Sequence, residues 1–413
     1  MTRPYRQSIG KWHVSNNNDA MPAPRAHPRL MRPDDERRSE VAPIELFFDL
    51  VYVFAIIQVS HTLLAHLTWL GFAEVALLFG AVWWAWNYSA WAMNWLDPRS
   101  GAVRVLNGLL MLAALGMALG LPQAFRDDGL LFAACYVAAQ VGRAAFMAVA
   151  MRGHVLAKNY TNLLAWSASS GVLWLVGAFL DTGPRLAVWF VALVIDLAGP
   201  RFDYRFPGLG TAPMATWPTD PEHLAERNRG VFIIALGESI LIMGFTLAEL
   251  DPIPLRAVVA TVFGFIGLFV MWWAYFALAG ADTLASRGDS STSALRSAFA
   301  YAHLLMVAGA IVVAVSIELR ITHADTDATV VLTTVGGPLI YLAGNILFLR
   351  SRTGSVARAR YVAAAGLVIV GTLGLVLGAA VPPLVIGLAT VVVMATLAVV
   401  TQLTANRSAR ASG

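Results

Sequence analysis

The chain is built from apolar blocks of about 17 to 25 residues that repeat from residue 43 to residue 404, and this repetition leaves it few ways to fold. A block of that length crosses a hydrocarbon core of roughly 30 Å once as a helix and is too long for a buried strand. Twelve blocks can be marked: 43–66, 69–96, 103–123, 129–151, 158–180, 183–199, 226–248, 255–281, 296–318, 329–349, 359–380 and 382–404. The last two are split at Val381 to Pro383 because about 45 apolar residues exceed one crossing. Composition agrees, with 58% of residues hydrophobic and 13% charged, against about 25% charged in an ordinary soluble domain. The expected fold class is an all-α integral membrane protein of about twelve transmembrane helices.

Orientation follows from the basic residues. With the N-terminus inside, nearly all Lys and Arg fall on the cytoplasmic side, including Arg99, Arg104, Arg201, Arg205, Arg227, Arg229, Arg350 and Arg352. Only Arg126, Arg185, Arg256 and Arg320 fall outside, with Arg143 inside a block, so both termini are expected in the cytoplasm. The pI of about 9.4 is thereby explained by topology and calls for no nucleic-acid partner. Residues 1–42 are polar, Pro-rich and unpatterned, which predicts a disordered cytoplasmic tail and no signal peptide, with Met21 and Met31 as alternative starts. Residues 405–413 form a short cytoplasmic C-terminal tail on this reading. The single cysteine, Cys135, excludes a disulfide framework or cysteine metal site, and His61 and His66, five residues apart, are poorly spaced to share a metal on a helix.

The chain also resembles itself. Trp83-Trp84-Ala85-Trp86 is echoed by Trp272-Trp273-Ala274-Tyr275, and Tyr136 to Gln140 by Tyr341 to Asn345. Glu45 before FFDLVYVFAI is matched with Glu226 before RGVFIIALGESI. The expected organisation is two six-helix repeats, 43–199 and 226–404, joined by a cytoplasmic connector at 200–225 rich in turn signals. Six is even, so the repeats would be parallel, related by an axis along the membrane normal.

The runs IELFFDLVYVFAI and HLAERNRGVFIIALGESI, the WWAWNYSAW block and the DLAGPRF turn together resemble the bacterial low temperature requirement A family, over roughly residues 40 to 405. Asn228 follows Glu226-Arg227 where the family pattern carries an aromatic. The resemblance implies a polytopic protein of the bacterial cytoplasmic (inner) membrane, named for a cold-growth phenotype and without a settled activity. The rhythm of Phe48-Asp49 and the aromatic second block are also similar to potassium channels made of two six-helix repeats. Their Phe-Ser-Asp signature lacks its serine here, and Gly230 stands where the second aspartate would be.

Chemistry is expected where ionisable groups sit at membrane depth, because each costs about 2.5 to 3.5 kcal/mol at a helix centre and needs a reason to stay. Glu45 and Asp49 are four residues apart and share a helix face. Glu45 is expected to snorkel to the cytoplasmic edge, with Asp49 a turn deeper. Arg143 lies at matching depth and is the expected partner of Asp49 or of Asp196, whether as a structural ion pair or as part of a pathway. Glu238, with Ser239 beside it, falls near the midplane with no opposite charge at its depth in its own half, and His303 is its candidate proton partner. The tryptophans of the second block read first as packing and second as a cation-π path. Asp220-Pro221-Glu222 reads as a helix start.

No Gly-rich phosphate loop, nucleophile elbow or HExxH pair occurs, so neither cofactor nor metal is expected. The favoured function is a small-solute or cation transporter or channel with proton coupling. The alternatives are a membrane-embedded enzyme, or a scaffold, affecting lipid or envelope composition in cold adaptation. Expected partners are the lipid bilayer, a small solute or cation, and a second copy of the chain in a homodimer.

Overall fold

The computed structural model describes residues 30–32, 41–279 and 291–411; the predicted tail 1–42 falls almost wholly outside them. The chain forms twelve long helices among the described residues: α1 (Pro43–Ala65), α2 (Trp69–Met93), α3 (Gly101–Gly120), α4 (Gly129–Ala150), α5 (Val155–Ala178) and α6 (Thr182–Ala198), then α7 (Pro221–Ala248), α8 (Leu255–Ala279), α9 (Thr292–Thr322), α10 (Ala328–Thr353), α11 (Arg358–Leu377) and α12 (Pro383–Ala411). Eleven are long and apolar enough to cross a membrane. The exception, α5, is of similar length but carries Asn159, Asn162, Ser167 and Ser170, all turned into the bundle. The hydrocarbon-facing side is supplied by residues such as Leu46, Leu50, Leu109, Leu112, Phe190 and Val362.

Helices α7, α9 and α12 depart from the sequence expectation. Helix α7 begins at Pro221, five residues early, because Asp220 Oδ1 accepts the N–H of Glu222 and His223 and Pro221 occupies the first turn. The helix start read from TDPEH is thus correct, and it draws residues 221–225, His223 among them, from the expected connector into the helix. Helix α9 includes a π-helical stretch, Ser297–Ala302, in which the usual ladder is loosened. Carbonyls there are taken by side chains: Trp83 Nε1 donates to Ala300 O (2.8 Å) and His303 Nδ1 lies 2.7 Å from Ala298 O. Helix α12 runs to Ala411, past the expected end at 404.

Each half has the same chain of neighbours: α1 touches α2 and α3, α3 touches α4, α4 touches α5, α5 touches α6, and α6 returns to α2. The second half repeats this with α7 on α8 and α9, α9 on α10, α10 on α11, α11 on α12, and α12 on α8. The halves meet where α1 and α2 pack on α7 and α9. The closest pairing, α9 with α10, depends on residues without a side chain: a Cβ on Gly344 would lie 2.5 Å from Ala302 O, and one on Gly309 2.6 Å from Tyr341 N. With no hydrophobic drive between helices in lipid, such close backbone approach is what packing dispersion needs. Tryptophans 83, 84, 86, 91 and 95 are all buried, so they pack the inter-helix core and do not form an interface belt.

Candidate functional site

Helices α1 and α7 run parallel and in register. Glu45 meets His223, Asp49 meets Arg227 and Ser60 meets Glu238, each pair 178 residues apart in the chain. At the N-terminal end of this seam lies a charge cluster without exposure to solvent. Asp49 takes Arg227 Nη2 at 2.6 Å and Nε at 3.1 Å, and its Oδ1 also accepts Trp86 Nε1 at 2.8 Å. Glu45 receives Arg227 Nη1 at 3.3 Å and Arg32 Nη2 at 3.1 Å, with His223 Nε2 3.1 Å away. Asn94 Nδ2 lies 3.3 Å from His223 Nδ1, which directs the Nε2 hydrogen toward Glu45. Among the described residues two carboxylates face two guanidiniums, so every one of these charges has a partner, the condition under which burial of charge is tolerated. Arg32 reaches it from a segment pinned on α2 by backbone bonds from Arg32 N to Trp95 O and from Asp97 N to Leu30 O.

Two sequence expectations are corrected here. Glu45 does not snorkel to the edge: it is 0% exposed and shared by three basic or imidazole side chains. Arg143 pairs with neither Asp49 nor Asp196. It donates to Ser89 Oγ (3.2 Å) and Gln140 Oε1, and its guanidinium lies 5.2 Å from the Tyr88 ring centre. Asp196 sits at the far end of a neutral relay, in which Gln140 Nε2 donates to Tyr136 OH and Tyr136 OH donates to Asp196 Oδ2 at 2.8 Å. Ser170 Oγ and Trp174 Nε1 complete the Asp196 shell at 2.5 and 3.2 Å. Depth matched Arg143 to Asp49, but α4 carries Arg143 against α2, while α7 stands directly beside α1.

Farther along the seam, about 16 Å from Asp49 by helical rise, Ser60 Oγ donates to Glu238 Oε1 at 3.0 Å. Glu238 is 1% exposed, and its Oε2 has no hydrogen-bond partner among the described residues. Ser239 does not join it; its hydroxyl turns back to Ala235 O. Nor does His303, whose Nε2 lies 2.9 Å from Tyr275 OH and whose ring packs against Phe299 and Phe348. His303 belongs to the α8–α9 packing beside the π-helical stretch, which removes it as the proton partner of Glu238. No group of three or more His, Cys, Asp or Glu suited to a metal occurs among the described residues.

Sequence reading missed Arg227, His223, Arg32 and Ser60. Arg227, at the first turn of the expected block 226–248, reads from charge distribution alone as a cytoplasmic-edge cation. A signal existed: aligned at 178 residues, Pro43 falls on Pro221, Leu46 on Leu224, Val53-Phe54 on Val231-Phe232 and Ile56 on Ile234. That alignment sets Glu45 against His223 and Asp49 against Arg227, where matching Glu45 with Glu226 shifts the register by nearly one helical turn.

The chain matches the family model for the bacterial low temperature requirement A protein over residues 40–399. It is similar to an uncharacterized protein of Rhizobium meliloti (strain 1021), 37% identical over 331 residues that make up 78% of this chain and 80% of the relative. No solved structure matches it.

Proposed function

The chain belongs to the bacterial low temperature requirement A family, and from its α1–α7 seam we propose that this membrane protein passes a small cation or solute across the bilayer as a transporter or channel, with proton coupling through Glu238. The observation that carries the reading is the buried Glu238 carboxylate, with one oxygen on Ser60 and the other unpartnered, at a helix–helix contact between the halves. A carboxylate so placed is costly as a structural element and suited to take up a cation or a proton. The paired cluster of Arg32, Glu45, Asp49, His223 and Arg227 closes the seam at its other end; separating α1 from α7 there breaks several charge-assisted bonds at once.

The alternating-access character of this reading draws on duplication. Two parallel six-helix repeats are supported by the shared order of neighbours and by the 178-residue register of α1 on α7, in which equivalent positions meet near the axis relating the halves. The distribution of Lys and Arg supports an inner-membrane setting with both termini in the cytoplasm. Arg143 and Asp196 hold α2, α4, α5 and α6 together and are placed beside the pathway as its frame.

The test is reconstitution of the purified protein in liposomes and measurement of sodium, potassium and proton flux. Wild type is expected to carry one of these, Glu238→Gln to carry at least tenfold less, the loss typical of removing an ionic group needed in the rate-limiting step, and Asp49→Asn to leak as the closed end opens. Absence of flux for every ion, with an altered lipid profile in a strain lacking the protein, would favour the enzyme or scaffold reading instead.

A further inference from the structure

At the end opposite the charge cluster, α7 terminates in exposed Ala248 and Glu249. Glu238 is about 15 Å by helical rise from the end of α7 at Ala248. Between it and that face stand two further carboxylates of graded exposure. Glu249 caps α7 and is exposed; Glu318, four residues before the end of α9 at Thr322, is half-buried on a helix that packs against α7; Glu238, ten residues before the end of α7, is buried. Thr246, one turn before Glu249 on α7, is buried and its hydroxyl donates to Ile242 O at 2.9 Å. The basic side chains nearby are turned elsewhere: Arg256 donates to the carbonyls of Ile321, Thr322 and His323, and Arg320 donates to Ser316 O beside Gly387 of α12. One wall of this approach is α9, parallel to α7, and the other is α1, which contributes Ser60.

We propose that the occupant of the seam is a cation and that it enters from the face carrying the α7–α8 loop, passing from Glu249 to Glu318 to the free oxygen of Glu238. This rests on the passage reading above and adds to it the sign of the substrate and the side of entry. Carboxylates arranged from exposed to buried raise the local cation concentration and hand the ion from a hydrated to a partly dehydrated site. Oε2 of Glu238 and Ser60 Oγ supply the inner oxygens. Anions are repelled along the same path, and at the opposite end the carboxylates of Glu45 and Asp49 are already held by guanidiniums.

The experiment uses the full-length protein and two readouts. In liposomes, potassium and sodium flux is measured at low salt with lanthanum added to one face or the other. Glu249→Gln with Glu318→Gln is expected to lower flux severalfold and abolish lanthanum inhibition from the α7–α8 face, with the effect of the substitutions shrinking as ionic strength rises. In detergent, lanthanum is expected to raise the melting temperature of wild type, and this shift to disappear in Glu318→Gln and in Glu238→Gln. Cation flux unaltered in the double variant, or inhibited by lanthanum only from the opposite face, would overturn the entry route. If wild type carries no ion at all, the passage reading fails, and the thermal shift still decides whether the three carboxylates form a cation site: a shift that survives Glu318→Gln and Glu238→Gln refutes it.

Discussion

Asp49 and Arg227 are each other's reason for being in the membrane. A bidentate guanidinium–carboxylate contact, with Trp86 on the same carboxylate and the guanidinium near the Phe48 and Trp86 rings, satisfies both charges without water. Removing one partner strands the other, so Asp49→Asn and Arg227→Gln should each cost about 3 to 5 kcal/mol. The exchanged pair Asp49→Arg with Arg227→Asp should recover part of that loss; a double-mutant cycle of unfolding in mixed detergent reads the coupling, and strict additivity would refute the pair. Glu238 behaves oppositely. Glu238→Gln keeps the Ser60 contact while removing a buried negative charge, so it should leave the melting temperature equal or higher as flux falls. From sequence, the acids at 49, 196 and 238 are legible as costly groups because burial of charge is costly in any fold, whereas Glu45 reads as an edge residue. Their partners were not, since depth along a helix says nothing of which neighbour stands at the same azimuth, and Arg143 was matched to Asp49 on depth alone.

At the scale of the elements, the backbone explains what could be read. A lipid-embedded segment must satisfy its own N–H and C=O groups, so its hydropathy and length suffice to mark it, and the twelve helices lie where the blocks predict within a few residues. Departures come where side chains act on the backbone: the Asp220 cap that starts α7 early, and the π-helical stretch of α9 whose carbonyls are claimed by α2. Close approach of α9 to α10 was likewise unreadable, because a glycine matters only once a neighbouring backbone is known. Gly344→Leu should prevent that contact and sharply reduce the yield of folded protein, measured by size-exclusion profile, whereas Gly336→Leu on the same helix, where a Cβ meets nothing within 4 Å, should be tolerated. Equal behaviour of the two variants would refute the role assigned to Gly344.

Among the described residues the molecule is a bundle of twelve long helices in which α1 and α7 pack along a parallel, in-register seam. That register makes a distinct prediction: with Cys135 replaced, cysteines at 60 and 238 should be bridged within one chain by a short bis-thiosulfonate reagent, while cysteines at 60 and 241, nearly one turn farther along α7 as the Glu45-to-Glu226 match would require, should not. Sequence by itself determined that the chain is an all-helical membrane protein, roughly where each crossing begins and ends, and which family it belongs to, because these depend on local hydropathy and on motifs contiguous in the chain. Only the tertiary structure decided that Arg227 and Arg32 pair with Glu45 and Asp49 with His223 beside Glu45, that Arg143 serves a separate polar network, and that Glu238 keeps an oxygen without a hydrogen-bond partner among the described residues. The physical reason is that charge pairing in a bilayer is set by which helices touch and at what rotation, and the contacts that settle it join residues 178 positions apart.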